Sequence, residues 1–108
     1  MIDQLDLEHY GQFTRSTVEV IAADASARFD LLDLTIVHRF GRLYPGDLIV
    51  IIAAAAEHRR AAFDAVDYLM DRLKTEAPFW KRETGLAGSR WIEPTPADHA
   101  ARKRWDQD

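Results

Sequence analysis

The stretch from Glu57 to Glu76 limits most sharply what this chain folds into. Ala62, Phe63, Val66, Leu69, Met70 and Leu73 recur at helical spacing, with Asp64, Asp67, Asp71 and Arg72 largely elsewhere around the helix. The segment is therefore an amphipathic helix that has to bury one face. Pro78 ends it, because the residue before a proline is pushed out of the α region. Just before the helix lies a continuous apolar run, Leu48 to Ala56. It is far too short to span a bilayer, and its Ile/Val-rich start suits a strand buried on both faces. Tyr44-Pro45-Gly46-Asp47 ahead of it reads as a type II turn, with proline presetting the negative φ and glycine accepting the positive one.

The flanking segments supply what this helix packs on. Ile2 to Tyr10 alternates, with Leu5 and Leu7 opposite Asp6 and Glu8, and Gly11 interrupts it; this is a half-buried strand. From Thr14 to Phe29, Val18, Ile21, Ala22, Ala25 and Phe29 mark a second amphipathic helix. Leu32, Leu34, Ile36 and His38 then alternate against Asp33, Thr35 and Val37 as another strand. Phe79 to Glu83 reads as extended, a short strand surrounds Arg90-Trp91-Ile92, and Ala97 to Trp105 forms a last short helix after Pro94 and Pro96. The order β-α-β-β-α-β-β gives an α+β domain with a mostly antiparallel sheet and packed helices. No repeat or linker divides residues 1–108, so one domain is expected.

Composition narrows the function classes. The absence of cysteine removes disulfides, thiolate metal sites and a cysteine nucleophile, and fits a reducing, cytoplasmic setting. The N-terminus is acidic and lacks the pattern of a signal peptide. The net charge of −4 is unevenly spread, since residues 1–57 carry 4 basic and 9 acidic side chains and residues 58–108 carry 10 and 9. An anion site therefore belongs to the second half, and a duplex-binding surface is not indicated. No membrane partner, nucleic acid, metal or cofactor is expected. His9, His38, His58 and His99 lack metal-site spacing. His9 and His38 read as satisfied sheet histidines.

Two constellations carry candidate chemistry. Glu57-His58-Arg59-Arg60 sits where backbone N–H groups and the helix dipole favour an anion. The same residues also fit a solvated helix end with Glu57 near the cap. Lys74 and Lys81 flank the Ala77-Pro78-Phe79-Trp80 corner. Brought together beside Phe79 or Trp80, two lysines would lower each other's pKa and leave one neutral amine. They also fit two ordinary surface lysines. The residues alone stop at an α+β domain with a candidate anion site.

Three ordered motifs resemble the catalytic (large) subunit family of molybdopterin synthase. His38-Arg39-Phe40-Gly41-Arg42-Leu43-Tyr44-Pro45-Gly46-Asp47 resembles its His-Arg-x-Gly-x-Leu-x-x-Gly-(Asp/Glu) hairpin. Glu57 to Ala65 is similar to its His-Arg-x-x-Ala-Phe-x-Ala helix start. Leu73-Lys74-Thr75-Glu76-Ala77-Pro78-Phe79-Trp80-Lys81-Arg82-Glu83 matches its Leu-Lys-x-x-Ala-Pro-x-Trp-Lys-(Lys/Arg)-Glu segment, and Arg90-Trp91-Ile92 fits its closing strand. The resemblance runs from about Leu5 to Trp105.

The resemblance implies an α/β-hammerhead fold and a homodimer flanked by two small ubiquitin-like subunits, a heterotetramer. In that assembly a thiocarboxylated small-subunit tail passes sulfur twice to cyclic pyranopterin monophosphate, which yields the dithiolene of molybdopterin. It implies that His58 and Arg59 hold the anionic pterin, that Lys74 and Lys81 are catalytic, and that Arg82 and Glu83 complete the substrate-contacting segment. Lys74 is assigned to the reacting centre, for acid/base work or transient acyl capture, and Lys81 to charge stabilisation and positioning. Family members usually begin with a Phe-x-Gly-x-Val-Arg strand whose arginine contributes to the pterin site. Here Met1-Ile2-Asp3 starts at the following strand, leaving Arg39 and Arg90 as cations that would stand in. A non-catalytic, truncated homologue acting as a dimeric small-subunit-binding module is the alternative.

Overall fold

The computed structural model describes residues 2–9, 12–76 and 79–106, with side chains described from 15 to 76 and from 82 to 106. In chain order the elements are β1 (Ile2–His9), α1 (Gln12–Arg28), β2 (Asp33–His38), β3 (Gly41–Leu43), β4 (Val50–Ala55), α2 (Arg59–Glu76), β5 (Phe79–Gly85), β6 (Gly88–Ile92) and α3 (Pro96–Lys103). A single 3-10 turn, Arg104–Asp106, follows α3.

Every strand pairing is antiparallel, as the α+β reading requires, but the strands divide into two sheets. One is a four-stranded sheet in the order β3-β1-β5-β6, and the other a ribbon of β2 and β4. The sequence reading missed β3. Gly41, at φ 93°, lets the chain turn out of the ribbon at a conformation other residues resist. Leu43 then pairs opposite Leu5 of β1 with its own side chain 1% exposed. The next turn forms as expected. Asp47 N–H donates to the Tyr44 carbonyl at 2.9 Å, Gly46 takes φ 91°, and the Asp47 carboxylate accepts the Tyr44 N–H at 2.9 Å.

The ribbon carries the helices on one face. Leu34, Ile36 and Ile52 pack against a core of Ile21, Ala25, Tyr68, Leu69 and Leu73 from α1 and α2. In β4 the residues therefore alternate between half-buried and exposed, which corrects the expectation of a strand buried on both faces. Val37 and Ile51, directly opposite each other, point outward and are 50% and 44% exposed. An apolar run cannot distinguish a two-sided strand from one with a single covered face. Leu32 lies outside β2 and is exposed, although its N–H still donates to the Ala55 carbonyl at 2.8 Å. Helix α1 stops where Asp30 adopts the left-handed φ of 52°.

The stripe of α2 is rotated from the expected one. Ala65, Tyr68, Leu69 and Leu73 are buried, whereas Phe63 is 71% exposed. Tyr68 lies off the expected stripe because its hydroxyl needs a partner inside; it donates to Asp24 of α1 and accepts from Arg72 at 3.0 Å. Around it Phe29, Tyr68 and Trp105 meet edge to face, with centroids 5.3–5.9 Å apart. Trp105 Nε1 donates to Asp71 at 2.7 Å, which fastens the C-terminal turn to α2. The radius of gyration is 15.0 Å, against about 13 Å for a compact chain of this length. The elongation arises because the helices gather on the ribbon and on one another, and the four-stranded sheet extends beyond them.

Candidate active site

The last turn of α2 presents Lys74 to a cleft of about 180 Å³ lined by His38, Ile49, Val50, Met70, Leu73 and Lys74. Its walls follow from the packing just described. Leu73 is a core residue of α2, Met70 stands one helical turn before Lys74, and Val50 pairs with His38 where the ribbon ends. His38 Nδ1–H donates to the Arg39 carbonyl at 2.8 Å, which fixes the ring at the end of β2. Sequence alone places His38 in a sheet and does not connect it with Lys74. The signal that would have done so is the register of β2 on β4, which periodicity does not supply.

Lys74 faces an acidic neighbour. Its Nζ lies 3.8 Å from Asp98 Oδ1 of α3. Lys81 occupies β5 between Leu7 of β1 and Ile92 of β6. Its side chain lies outside the described residues, as do those of Phe79 and Trp80, and so does the expected meeting of Lys74 with Lys81. The neighbouring positions separate. Strand alternation puts Arg82 and Glu83 on opposite faces of β5. The Arg82 guanidinium stacks over Trp91 at 5.4 Å, whereas Glu83 accepts from Arg90 Nε at 3.1 Å.

His58 and Arg59 stand at the other end of α2. The helix begins at Arg59, and the His58 carbonyl accepts the Ala62 N–H at 3.4 Å. Glu57, His58, Arg59 and Arg60 are all exposed, and among the described residues His58, Arg59 and Arg60 have no ion-pair partner. Fifteen residue steps along α2, about 22 Å of axis, separate Arg59 from Lys74. The structure thus does not bring the helix-start cations and the Lys74 cleft together within one chain. The candidate substitute cations are also engaged elsewhere: Arg39 Nη1 donates to the Leu48 carbonyl at 3.2 Å, and Arg90 holds Glu83.

A charged network brackets Lys74. Arg72 donates to Glu76 at 2.6 Å and to Asp24 at 2.8 Å, and Arg102 of α3 donates to Glu76 at 2.9 Å. Burial pushes the Glu76 carboxyl upward, but the hydrogen bonds and charges of Arg72 and Arg102 outweigh it and hold Glu76 below the ordinary carboxylate range. Among the described residues no cluster of three His, Asp or Glu side chains suits a metal ion, and no helix is long and apolar enough to cross a membrane. The cleft thus counts one amine and one imidazole among otherwise apolar lining residues. That set is suited to proton transfer or amine chemistry on an organic substrate.

Comparison with known proteins places this arrangement. The sequence model of the family described as MoaE protein matches residues 1–76. The molybdopterin synthase catalytic subunit of Caulobacter vibrioides is 55% identical over 104 residues, covering 96% of this chain and 69% of that protein. The protein of the same name from Pseudomonas aeruginosa is 50% identical over 101 residues, covering 94% and 67%. The solved molybdopterin biosynthesis MoaE protein of Burkholderia ambifaria superimposes with a TM-score of 0.82 at 46% identity, over 100% of this chain and 74% of that one. The fold, the motifs around His38, His58 and Lys74, and these similarities together make the chain a member of the MoaE family of molybdopterin synthase catalytic subunits.

Proposed function

We propose that the chain is a molybdopterin synthase catalytic subunit, moving sulfur from a thiocarboxylated small ubiquitin-like subunit onto cyclic pyranopterin monophosphate. The observation that carries this reading is the place of Lys74 in the lining of a largely apolar cleft, within a segment whose sequence resembles the family's Leu-Lys-x-x-Ala-Pro-x-Trp-Lys pattern. Lys74 does the acid/base work or transiently captures the acyl end of the small-subunit tail, and Lys81 stabilises charge on the neighbouring strand. Arg82 and Glu83 complete the segment through their stacked and paired positions on β5.

His58 and Arg59 bind the anionic pterin, and the 22 Å of helix dictates how. Two ends of one α2, about that far apart, serve one small substrate when a homodimer places the helix start of one protomer beside the Lys74 cleft of its partner. The outward Val37 and Ile51 of the ribbon support association, since exposed apolar strips of this kind mark surfaces that other chains cover.

The test is turnover. The chain is mixed with thiocarboxylated small subunit and cyclic pyranopterin monophosphate, and molybdopterin is measured. Product formation that disappears in Lys74→Ala supports the reading. Small-subunit binding without turnover, beside an active full-length relative, would make the chain a non-catalytic binding module.

A further inference from the structure

The carboxylates along the C-terminal half of α2 are occupied. Asp71, three residues before Lys74, takes Trp105 Nε1 at 2.7 Å and Arg104 at 3.0 Å. Glu76, two residues after it, takes Arg72 and Arg102. The carboxylate that meets Lys74 comes instead from a different element, and it is held in place. Asp98 is the third residue of α3 and forms a capping box with Thr95. Its Oδ2 accepts the Thr95 N–H at 2.9 Å, and its N–H donates to Thr95 Oγ1 at 3.1 Å. The second oxygen, Oδ1, is the one 3.8 Å from Lys74 Nζ.

We propose that Asp98 is a positioning residue for Lys74, restricting its amine beside the cleft that Lys74 lines. A carboxylate in a capping box has one oxygen committed to the backbone and so presents the other in a fixed direction. The arginine and tryptophan contacts from Arg102, Arg104 and Trp105 fix α3 against the turn of α2 that carries Lys74. The Asp98 carboxylate and the backbone that carries Lys74 are therefore held relative to each other by contacts that do not involve the lysine. A lysine side chain is otherwise free in several rotamers, and restricting it toward one geometry speeds a reaction at its Nζ without adding binding energy. The inference rests on the reading of Lys74 as the reacting lysine.

The experiment compares Asp98→Asn, Asp98→Glu, Lys74→Ala and wild type, each with the small subunit. Asparagine keeps the cap acceptor and removes the charge; glutamate is itself a capping-box residue and restores it. Asp98→Asn is expected to lower kcat at least about fivefold with KM for the pterin changed less than about twofold. Its Tm should stay within about 2 °C of wild type, and Asp98→Glu should recover part of the lost kcat. Independently of turnover, labelling of Lys74 by an amine-acylating ester, read by mass spectrometry, should change in Asp98→Asn while that of exposed Lys103 does not. Wild-type kcat in Asp98→Asn beside an inactive Lys74→Ala overturns the positioning role alone. Unchanged Lys74 labelling overturns the contact. A fully active Lys74→Ala removes the underlying site reading and this inference with it.

Discussion

Replacing Trp105 with alanine tests whether the C-terminal turn is a structural latch. Trp105 meets Phe29 at 5.9 Å and Tyr68 at 5.3 Å, both nearly perpendicular, and edge-to-face pairs contribute about 0.5–1.5 kcal/mol each. Its Nε1 donates to Asp71 at 2.7 Å, a hydrogen bond to a charged group of the order of 1.5 kcal/mol. A fully buried tryptophan truncated to alanine costs about 3–5 kcal/mol. Trp105 is only partly buried, so about 2–3 kcal/mol is expected on that scale. For a domain of this size the corresponding fall in Tm is roughly 8–15 °C. Trp105→Phe keeps one aromatic ring in place and loses the N–H with part of the ring area, for an intermediate cost of about 1–2 kcal/mol. The assay is urea unfolding followed by circular dichroism, at one fixed protein concentration because association shifts apparent stability. A loss below about 0.5 kcal/mol in Trp105→Ala, the range of ordinary surface changes, would refute the latch. It would also remove the anchor assigned to α3.

Lys74→Ala is expected to reduce kcat by about a hundredfold or more, as loss of an acid/base group does, while small-subunit affinity measured by calorimetry stays near wild type. Glu76 has a folded pKa below its ordinary value of 4.5, so its stabilisation is present above that value and lost as pH falls through the folded one. The stability gap between wild type and Glu76→Gln, about 1 kcal/mol at pH 7 for a partly exposed network, should therefore close in acid; a pH-independent gap in urea melts would contradict the assignment. Gly46→Ala should cost about 1 kcal/mol. An added Cβ meets nothing within 4 Å, so a Tm fall there reports the positive φ of 91° alone.

Much of the fold is legible in the residues where one physical signal dominates. Pro78 and the apolar spacing of α2 locate the helix, and Pro45-Gly46 locates the turn, because each depends on local backbone chemistry. What escaped depends on partners distant in sequence. The three residues of β3 are too few for a period, and their place is set by pairing with β1. Tyr68 is buried through Asp24, 44 residues away, and Phe63 lies on the stripe by sequence yet on the surface by packing. The candidate site divides in the same way. The motif reading names Lys74, His58 and Arg59, but His38 joins the cleft through strand register, and Asp98 reaches Lys74 through the docking of α3. The separation of about 22 Å between the two groups of site residues already follows from the single helix the sequence outlines over Glu57 to Glu76, which the structure bears out as α2.

The composite site makes one direct demand. Differently tagged chains carrying Lys74→Ala and His58→Ala/Arg59→Ala are co-expressed, the heterodimer is isolated, and turnover is measured with thiocarboxylated small subunit. Each homodimer is expected to be inactive. The heterodimer keeps one site with every residue present, so about half the activity of the wild-type dimer is expected from the symmetry of the interface. An inactive heterodimer from two folded, small-subunit-binding chains, or a fully active monomer, would contradict a site shared between protomers.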